Sequence, residues 1–252
     1  MELKDCVALV TGANRGIGAA FVDALLEAGA GKVYAACRDV AATDIECASH
    51  DERVVLVPLD VTDEAAIQAL ALEINDLQIL VNNAGYFGGV TLLEADDVSA
   101  ARQEMETNYF GPLMLSRAFA GQLGRNGGGA IVNVLSAAAI VPVPNMGGYS
   151  PSKFAARAMG ISLRAELGDQ GTQVHNLIVG SVDTRMAAHV AGQKETPASI
   201  AKAGLRAVRK NIPEVDTDQF AVGVRAAQAR NPALLEQQMA AMLKLETLRT
   251  GR

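Results

Sequence analysis

The chain has 252 residues, half of them hydrophobic, with 28 acidic against 22 basic side chains and a net charge of −6. One large domain of this length buries around 70–75% of its unfolded surface, so no disulfide or metal staple is needed to hold it. The acidic balance and a pI near 5.1 oppose a phosphate-backbone partner, so nucleic acid is not expected.

Cys6, Cys37 and Cys47 are scattered, with neither metal-ligand spacing nor local His partners. They read as thiols in a reducing compartment, with no disulfide and no metal site. No apolar run approaches the ~18 residues of a membrane span, and the first residues pass directly into an apolar strand. A soluble, cytoplasmic protein without a membrane partner is expected.

In chain order, Val7–Val10 is a short apolar run of the kind found in strands buried on both faces. A glycine-rich turn, Thr11-Gly12-Ala13-Asn14-Arg15-Gly16-Ile17-Gly18, follows it at once, and helical spacing then runs from Ile17 to Ala28 and stops at Gly29. Strands are predicted at Val33–Cys37, Val54–Val57 and Leu77–Val81, with a helix from Glu64 to Ile74 between the last two. A long helical stretch spans Asp97 to Leu123, with Gly111-Pro112 as a candidate break. Ala130–Leu135 and Gln173–Ile178 are the fifth and sixth strands. Alternating strands and helices predict an α/β fold, a Rossmann-type doubly wound parallel sheet in a single domain. Beyond Asp183 the pattern turns polar and helical. Residues 183–210 are expected to form a helical substrate lid, and 217–248 two C-terminal helices parted at Asn231-Pro232.

The chemistry is carried by a few residues. Tyr149 and Lys153 stand four apart, which on a helix places them on one face about one turn apart. An ammonium beside a phenol favours phenolate, so the phenol is expected to titrate below its usual ~10. Such a pair is a proton donor usable near neutral pH. Ser136, at the end of the fifth strand, can donate a hydrogen bond to a substrate oxygen, and Asn108 can hold a water behind Lys153. In the glycine turn, Gly12, Gly16 and Gly18 let the backbone turn with positive φ and let a pyrophosphate approach the helix N-terminus.

Arg38 follows the second strand, where an NAD enzyme usually carries an acid for the ribose. With Arg15 it could grip a 2′-phosphate through forked donors, which favours NADP(H), although Asp39 next to it could instead take the ribose. Asp60 reads either as a helix N-terminal acid or as an acceptor for the adenine amino group. Asn82-Asn83-Ala84-Gly85 closes the fourth strand and would border the coenzyme. Tyr86, Phe87, Met146 and Ala137 to Val143 are candidates for an apolar pocket wall; for the last stretch, ordinary packing under a loop is the competing reading.

With these residues in view, the chain resembles the short-chain dehydrogenase/reductase superfamily in its single-domain form, along roughly residues 5–184. The resemblance rests on Thr11-Gly12-x-x-x-Gly16-x-Gly18, Asp60, Asn82–Gly85, Asn108, Ser136, Tyr149-x-x-x-Lys153 and the weaker Gly180–Thr184. It implies that Tyr149 is the acid/base and that Lys153 lowers its pKa and binds the nicotinamide ribose. It further implies that Ser136 orients a carbonyl, Asn108 supports a proton relay, and Val182 and Thr184 approach the carboxamide. Asn14, Ile17, Val61, Asn83, Ala84 and Gly85 complete the expected coenzyme contacts. Val179 stands where the family usually has proline, and the frequent C-terminal ending of the family is missing.

The expected activity is NADP(H)-dependent interconversion of a largely apolar small-molecule ketone or aldehyde and its alcohol. An NADP-binding sensor without turnover, and a dehydratase or imine reductase on the same scaffold, are the rival readings. The resemblance also implies a homodimer or homotetramer paired through the helices near 97–123 and 148–168.

Overall fold

The computed structural model describes residues 1–41, 45–48, 50–188 and 194–250. Seven parallel strands form one sheet in the order β3-β2-β1-β4-β5-β6-β7. These are β1 Val7–Thr11, β2 Lys32–Cys37, β3 Val54–Pro58, β4 Ile79–Asn82, β5 Ala130–Val134, β6 Gln173–Ile178 and β7 Glu214–Asp216. The doubly wound sheet expected from the apolar runs is therefore present, because a parallel sheet needs strands apolar on both sides.

Helices cover both faces. On one lie α1 Gly16–Glu27 and α6 Pro197–Lys210, whose Phe21, Val22, Leu25, Ile200, Leu205 and Val208 pack with Val10, Val33 and Val132 of the strands. On the other lie α2 Glu64–Glu73, α4 Gly111–Arg125 and α5 Tyr149–Glu166, whose Ile67, Leu70, Leu115, Phe119, Met159 and Leu163 meet Leu9, Leu80 and Ile131. The remaining helices are α3 Ser99–Met105, α7 Gln219–Arg230 and α8 Pro232–Thr250. Asp218 and Asn231 cap α7 and α8, accepting the N–H groups of Ala221 and Leu234 at 2.9 and 3.1 Å.

Three features depart from the sequence reading or sharpen it. The long helical stretch does not break at Gly111-Pro112. It passes from α3 to α4 through one π turn, Glu106–Phe110, in which the Gly111 N–H bonds to the Glu106 carbonyl five residues back. Pro112 has no N–H to offer, so the wider turn absorbs it without ending the helix. Next, β7 was not foreseen. Glu-Val-Asp has no apolar run to announce it, and it forms because Asn176, Leu177 and Ile178 of β6 offer an open edge. It is held there by Arg157 on Glu214 and Arg225 on Asp216. Third, the stretch 183–210 has two natures. Residues 197–210 are α6, a core helix packed on α1, with Gly204 against the Phe21 ring. Only the loop ahead of it faces the cleft, and residues 189–193 of that loop lie outside the described residues.

The central strands are locked by a buried asparagine ladder. Asn82, Asn133 and Asn176 are register partners on β4, β5 and β6. Asn82 donates to Asn133 at 3.0 Å, Asn133 to Asn176 at 3.2 Å, and Asn176 to the Arg157 carbonyl of α5 at 3.2 Å. A slip of one residue would put every amide on the wrong face without partners. Gly160 on α5 completes the fit, because a Cβ there would stand 2.1 Å from the Asn176 oxygen. Gly160→Ala should therefore destabilise the protein by about 1–3 kcal/mol through overpacking. Urea denaturation measures this, and an unchanged midpoint would show that α5 shifts freely on the ladder.

Candidate active site

The two ends of the site are built at the carboxyl edge of the sheet, where β1 and β4 lie side by side. Thr11 ends β1, and its hydroxyl donates to the Val81 carbonyl at 3.2 Å while accepting the N–H groups of Asn83 and Ala84, each at 3.0 Å. The Asn83 amide returns the contact, donating to the carbonyls of Thr11 at 2.8 Å and Gly12 at 3.2 Å. These bonds press the glycine turn against the Asn83–Gly85 loop. A Cβ on Gly12 would sit 3.0 Å from the Ala84 Cα, and one on Gly18 only 2.1 Å from the Gly12 carbonyl oxygen. Gly12 and Gly16 both adopt positive φ, at 61° and 58°, so the turn needs glycine for conformation as well as for space.

A cleft of about 1300 Å³ runs from this turn to α5. Gly12, Asn14, Arg15, Gly16, Ile17, Arg38, Asp60, Val61, Asn83, Ala84, Gly85, Ser136, Tyr149, Lys153, Val182 and Thr184 all line it. Gly18 and Asn108 do not line it, and neither do Asp39 and Asn82. Asp60 lies exposed on the cleft wall, and against a partial desolvation it is held below the usual carboxylate range by the Thr62 N–H and hydroxyl and by the charge of Arg38.

At the far end the Tyr149 hydroxyl hydrogen-bonds with Ser136, and the Phe87 ring meets the Tyr149 ring edge to face at 5.3 Å. The Lys153 ammonium lies 5.5 Å from the Tyr149 ring centroid and donates to the Val134 carbonyl at 3.1 Å. Ser136, Tyr149 and Lys153 are thus brought together as the spacing suggested. The expected lowering of the phenol pKa is overturned. Burial pushes Tyr149 up to about 12, with Glu104 adding to the rise and the Ser136 bond opposing it, and burial alone pulls Lys153 down to about 8. The reason is geometric. Lys153 faces the ring and spends a donor on a backbone carbonyl, so its charge does not offset the desolvation of the phenol.

Asn108 lies in the π turn, a common setting for functional side chains. Its amide nitrogen donates to the Tyr86 carbonyl at 2.9 Å and to the Ser152 hydroxyl at 3.0 Å, and its oxygen accepts the Tyr86 N–H at 2.8 Å. Both donors are therefore used in clamping the Gly85–Tyr86 loop to α5, and one lone pair on Oδ1 is left for any relay. Of the apolar wall candidates, Tyr86, Phe87 and Met146 line the cleft. Ala137, Ala139, Ile140 and Val141 instead pack with Ile178, Ala221, Val224 and Leu235 as core, while Pro142 is exposed and Val143 half-buried, and none of the stretch lines the cleft.

Two acids were missed. Glu46 lines the cleft and accepts the Gly16 N–H at 2.9 Å, while its own N–H bonds to the Asn14 carbonyl. It belongs to an irregular loop with no periodic signal to flag it. Glu104 is almost wholly buried behind Tyr149. Its signal was present, since it precedes Asn108 by four residues and so shares its inward face.

The sequence profile of the short chain dehydrogenase family matches residues 6–195. The chain belongs to the short-chain dehydrogenases. It is 34% identical over 198 residues to 1-deoxy-11-beta-hydroxypentalenate dehydrogenase of Streptomyces exfoliatus, covering 74% of this chain and 70% of that one. To cis-4-hydroxycyclohexanecarboxylate dehydrogenase of Sinomonas cyclohexanicum it is 35% identical over 190 residues, covering 72% and 75% of the two chains. A short chain dehydrogenase from Burkholderia cenocepacia, solved in complex with NADP, superposes with a TM-score of 0.89 at 39% identity over 95% of this chain and 99% of that one. This short-chain dehydrogenase is an oxidoreductase.

Proposed function

We propose that the protein is an NADP(H)-dependent oxidoreductase that interconverts a largely apolar ketone or aldehyde and its alcohol. The observation that carries this reading is the convergence of Ser136, Tyr149 and Lys153 in the same cleft as the glycine turn and two arginines. The cleft has the volume for a dinucleotide and a small substrate together, being larger than the 300–1,000 Å³ of an ordinary ligand pocket. The glycine turn, with no room for a Cβ at Gly12 or Gly18, is the surface on which a pyrophosphate would rest. Arg15 and Arg38 would hold a 2′-phosphate, Asp60 and Val61 the adenine, Lys153 the nicotinamide ribose, and Val182 and Thr184 the carboxamide. When bound, the coenzyme supplies or accepts the hydride.

The chain's own residues manage the proton and the oxygen. Ser136 is placed to donate to the carbonyl oxygen and so stabilise the negative charge that develops on it. Tyr149, held as the neutral phenol at ordinary pH by burial, is in the form that a carbonyl reduction needs, and it gives its proton to the oxygen as the alkoxide forms. In the reverse direction the same hydroxyl, once ionised, accepts the alcohol proton. Tyr86, Phe87 and Met146 give the substrate end its apolar character. The NADP-bound relative supports the coenzyme assignment, and the two relatives named as dehydrogenases of hydroxylated compounds support the reaction class.

Tyr149→Phe keeps the ring and loses the hydroxyl. It should bind NADPH normally while turnover of a responsive carbonyl, found by screening for loss of NADPH absorbance, drops about 10²–10⁴-fold. Near-normal turnover would sink the acid/base role.

Arg15→Ala and Arg38→Ala should each weaken NADPH by about 1.5–3 kcal/mol, the worth of a charge-assisted contact, and leave NADH nearly unaffected. Michaelis constants for both coenzymes decide this. Equal losses, or a wild-type preference for NADH, would overturn the arginine reading.

Pairing of two copies is supported by the outer side of α5 and the turn before α4, where Phe110, Phe154 and Ile161 are 40, 38 and 50% exposed. Cover by a second copy would remove this surface from water and brace the helix that holds Tyr149 and Lys153. Light scattering at micromolar concentration should give a dimer or tetramer mass. A mass near 26.3 kDa would refute the assembly.

A further inference from the structure

The segment after β6 supplies six consecutive residues of the cleft wall, Val179 to Thr184. Its two ends are fixed by backbone bonds. The Val179 carbonyl accepts the N–H of Ala137, the residue after Ser136, at 2.8 Å. Further on, the Glu195 N–H donates to the Ser181 carbonyl and the Asp183 N–H donates to the Glu195 carbonyl, each at 2.9 Å. Between these anchors the Gly180 N–H is met by a side chain from a distant part of the sequence, donating to Asp218 Oδ2 at 2.7 Å.

Asp218 stands behind the wall, 8% exposed, at the start of α7. Its two oxygens have separate partners. Oδ1 accepts the Ala221 N–H at 2.9 Å and caps the helix, whereas Oδ2 accepts Gly180, with the Thr217 hydroxyl 3.1 Å from the same oxygen. A helix cap needs one side-chain acceptor, so the second oxygen is not explained by α7. Gly180 is matched to it, because a Cβ there would collide with the Asp218 carboxylate. The backbone beneath is also fixed, since the Thr217 N–H bonds to the Ile178 carbonyl at 3.0 Å and keeps the acid beside the end of β6.

We propose that Asp218 is a positioning residue for the nicotinamide end of the coenzyme, holding the Val179–Thr184 wall through the Gly180 N–H. The inference rests on the reading of the cleft as a dinucleotide site in which Val182 and Thr184 face the carboxamide. Gly180 lies two residues before Val182 and next to Val179, whose carbonyl is tied to the residue after Ser136. A displaced Gly180 therefore disturbs the carboxamide contact and the Ser136 end together. A buried N–H left without its acceptor is also costly, so the loop would have to move to find water. The adenine end is set apart from this effect. Arg15, Arg38 and Asp60 follow β1, β2 and β3, whereas Asp218 follows β7 at the opposite edge of the sheet.

Asp218→Ser separates the two oxygens. Serine caps a helix about as well as aspartate, but its single short oxygen cannot also reach Gly180. Amide hydrogen exchange on the full, coenzyme-free chain reads the tie directly. In wild type the Gly180 amide should exchange at least about tenfold more slowly than in an unstructured peptide. In Asp218→Ser it should exchange about tenfold faster than in wild type, the effect of losing one hydrogen bond to a carboxylate, while the amides from Ala221 to Arg230 keep their protection. Should Asp218→Ser fail to fold, Asp218→Asn, with one acceptor for two N–H groups, takes its place.

Binding reads the consequence. NADPH is compared with adenosine 2′,5′-bisphosphate, which carries the adenine and the 2′-phosphate but no nicotinamide. Asp218→Ser should weaken NADPH about tenfold and leave the bisphosphate unchanged, a split that a general loss of structure would not produce. Equal losses for the two compounds, no loss of NADPH, or peptide-like exchange at Gly180 in wild type would overturn the proposal. If the wild type binds neither compound, the coenzyme reading falls and the inference with it. If it binds both and the variant weakens them equally, only the inference falls.

Discussion

The hydrogen bonds between Thr11 and the Asn83 loop are the constraint on which the site depends. β1 and β4 are neighbours in the sheet, but α1 leaves β1 toward one face while the chain after β4 leaves toward the other. Any open parallel sheet that reverses its winding has a crevice at that point. Here the crevice has a defined shape, because the Thr11 hydroxyl and the Asn83 amide join the two strand ends at five contacts near 3 Å. Gly12 and Gly18 then follow from the spacing, since side chains there would force the two loops apart.

The reacting end is governed by exclusion of water. Tyr149 and Lys153 share a face of α5, and packing against Phe87 and the β5 end leaves both with little solvent. Desolvation acts against the charged form of each, so the phenol is driven up and the ammonium down, the opposite of what two isolated partners on a helix surface would do. The Asn108 amide ties the Tyr86 backbone to Ser152 of α5, and Glu104 accepts the Gly88 N–H of the same loop, so residues outside the cleft wall hold the loop beside Tyr149.

Rigidity beneath the site comes from the asparagine ladder and from the arginines at the β7 edge. A polar ladder inside a sheet contributes modest net stability but penalises every alternative register, because each broken contact strands a buried amide. Arg157 and Arg225 converge on Glu214 from α5 and α7, and Arg225 also grips Asp216. These partly exposed pairs, with Val215 packed against the core, hold a short polar strand onto the sheet edge.

Much was legible in the chain itself. Strands apolar on both faces, a glycine turn directly after the first of them, and Tyr149 four residues before Lys153 are local patterns, and local patterns survive into the fold because backbone geometry enforces them. β6 and the break at Asn231-Pro232 were readable for the same reason. What tertiary structure alone decided are matters of who meets whom. β7 exists because β6 has a free edge, α6 is core because α1 presents Phe21 to it, and Ala137–Val141 turn inward because α7 and α8 cover them. The pKa order of Tyr149 and Lys153 belongs to this second class, since spacing along a helix fixes distance between two groups but burial, which comes from distant parts of the chain, fixes which charge state that distance can hold.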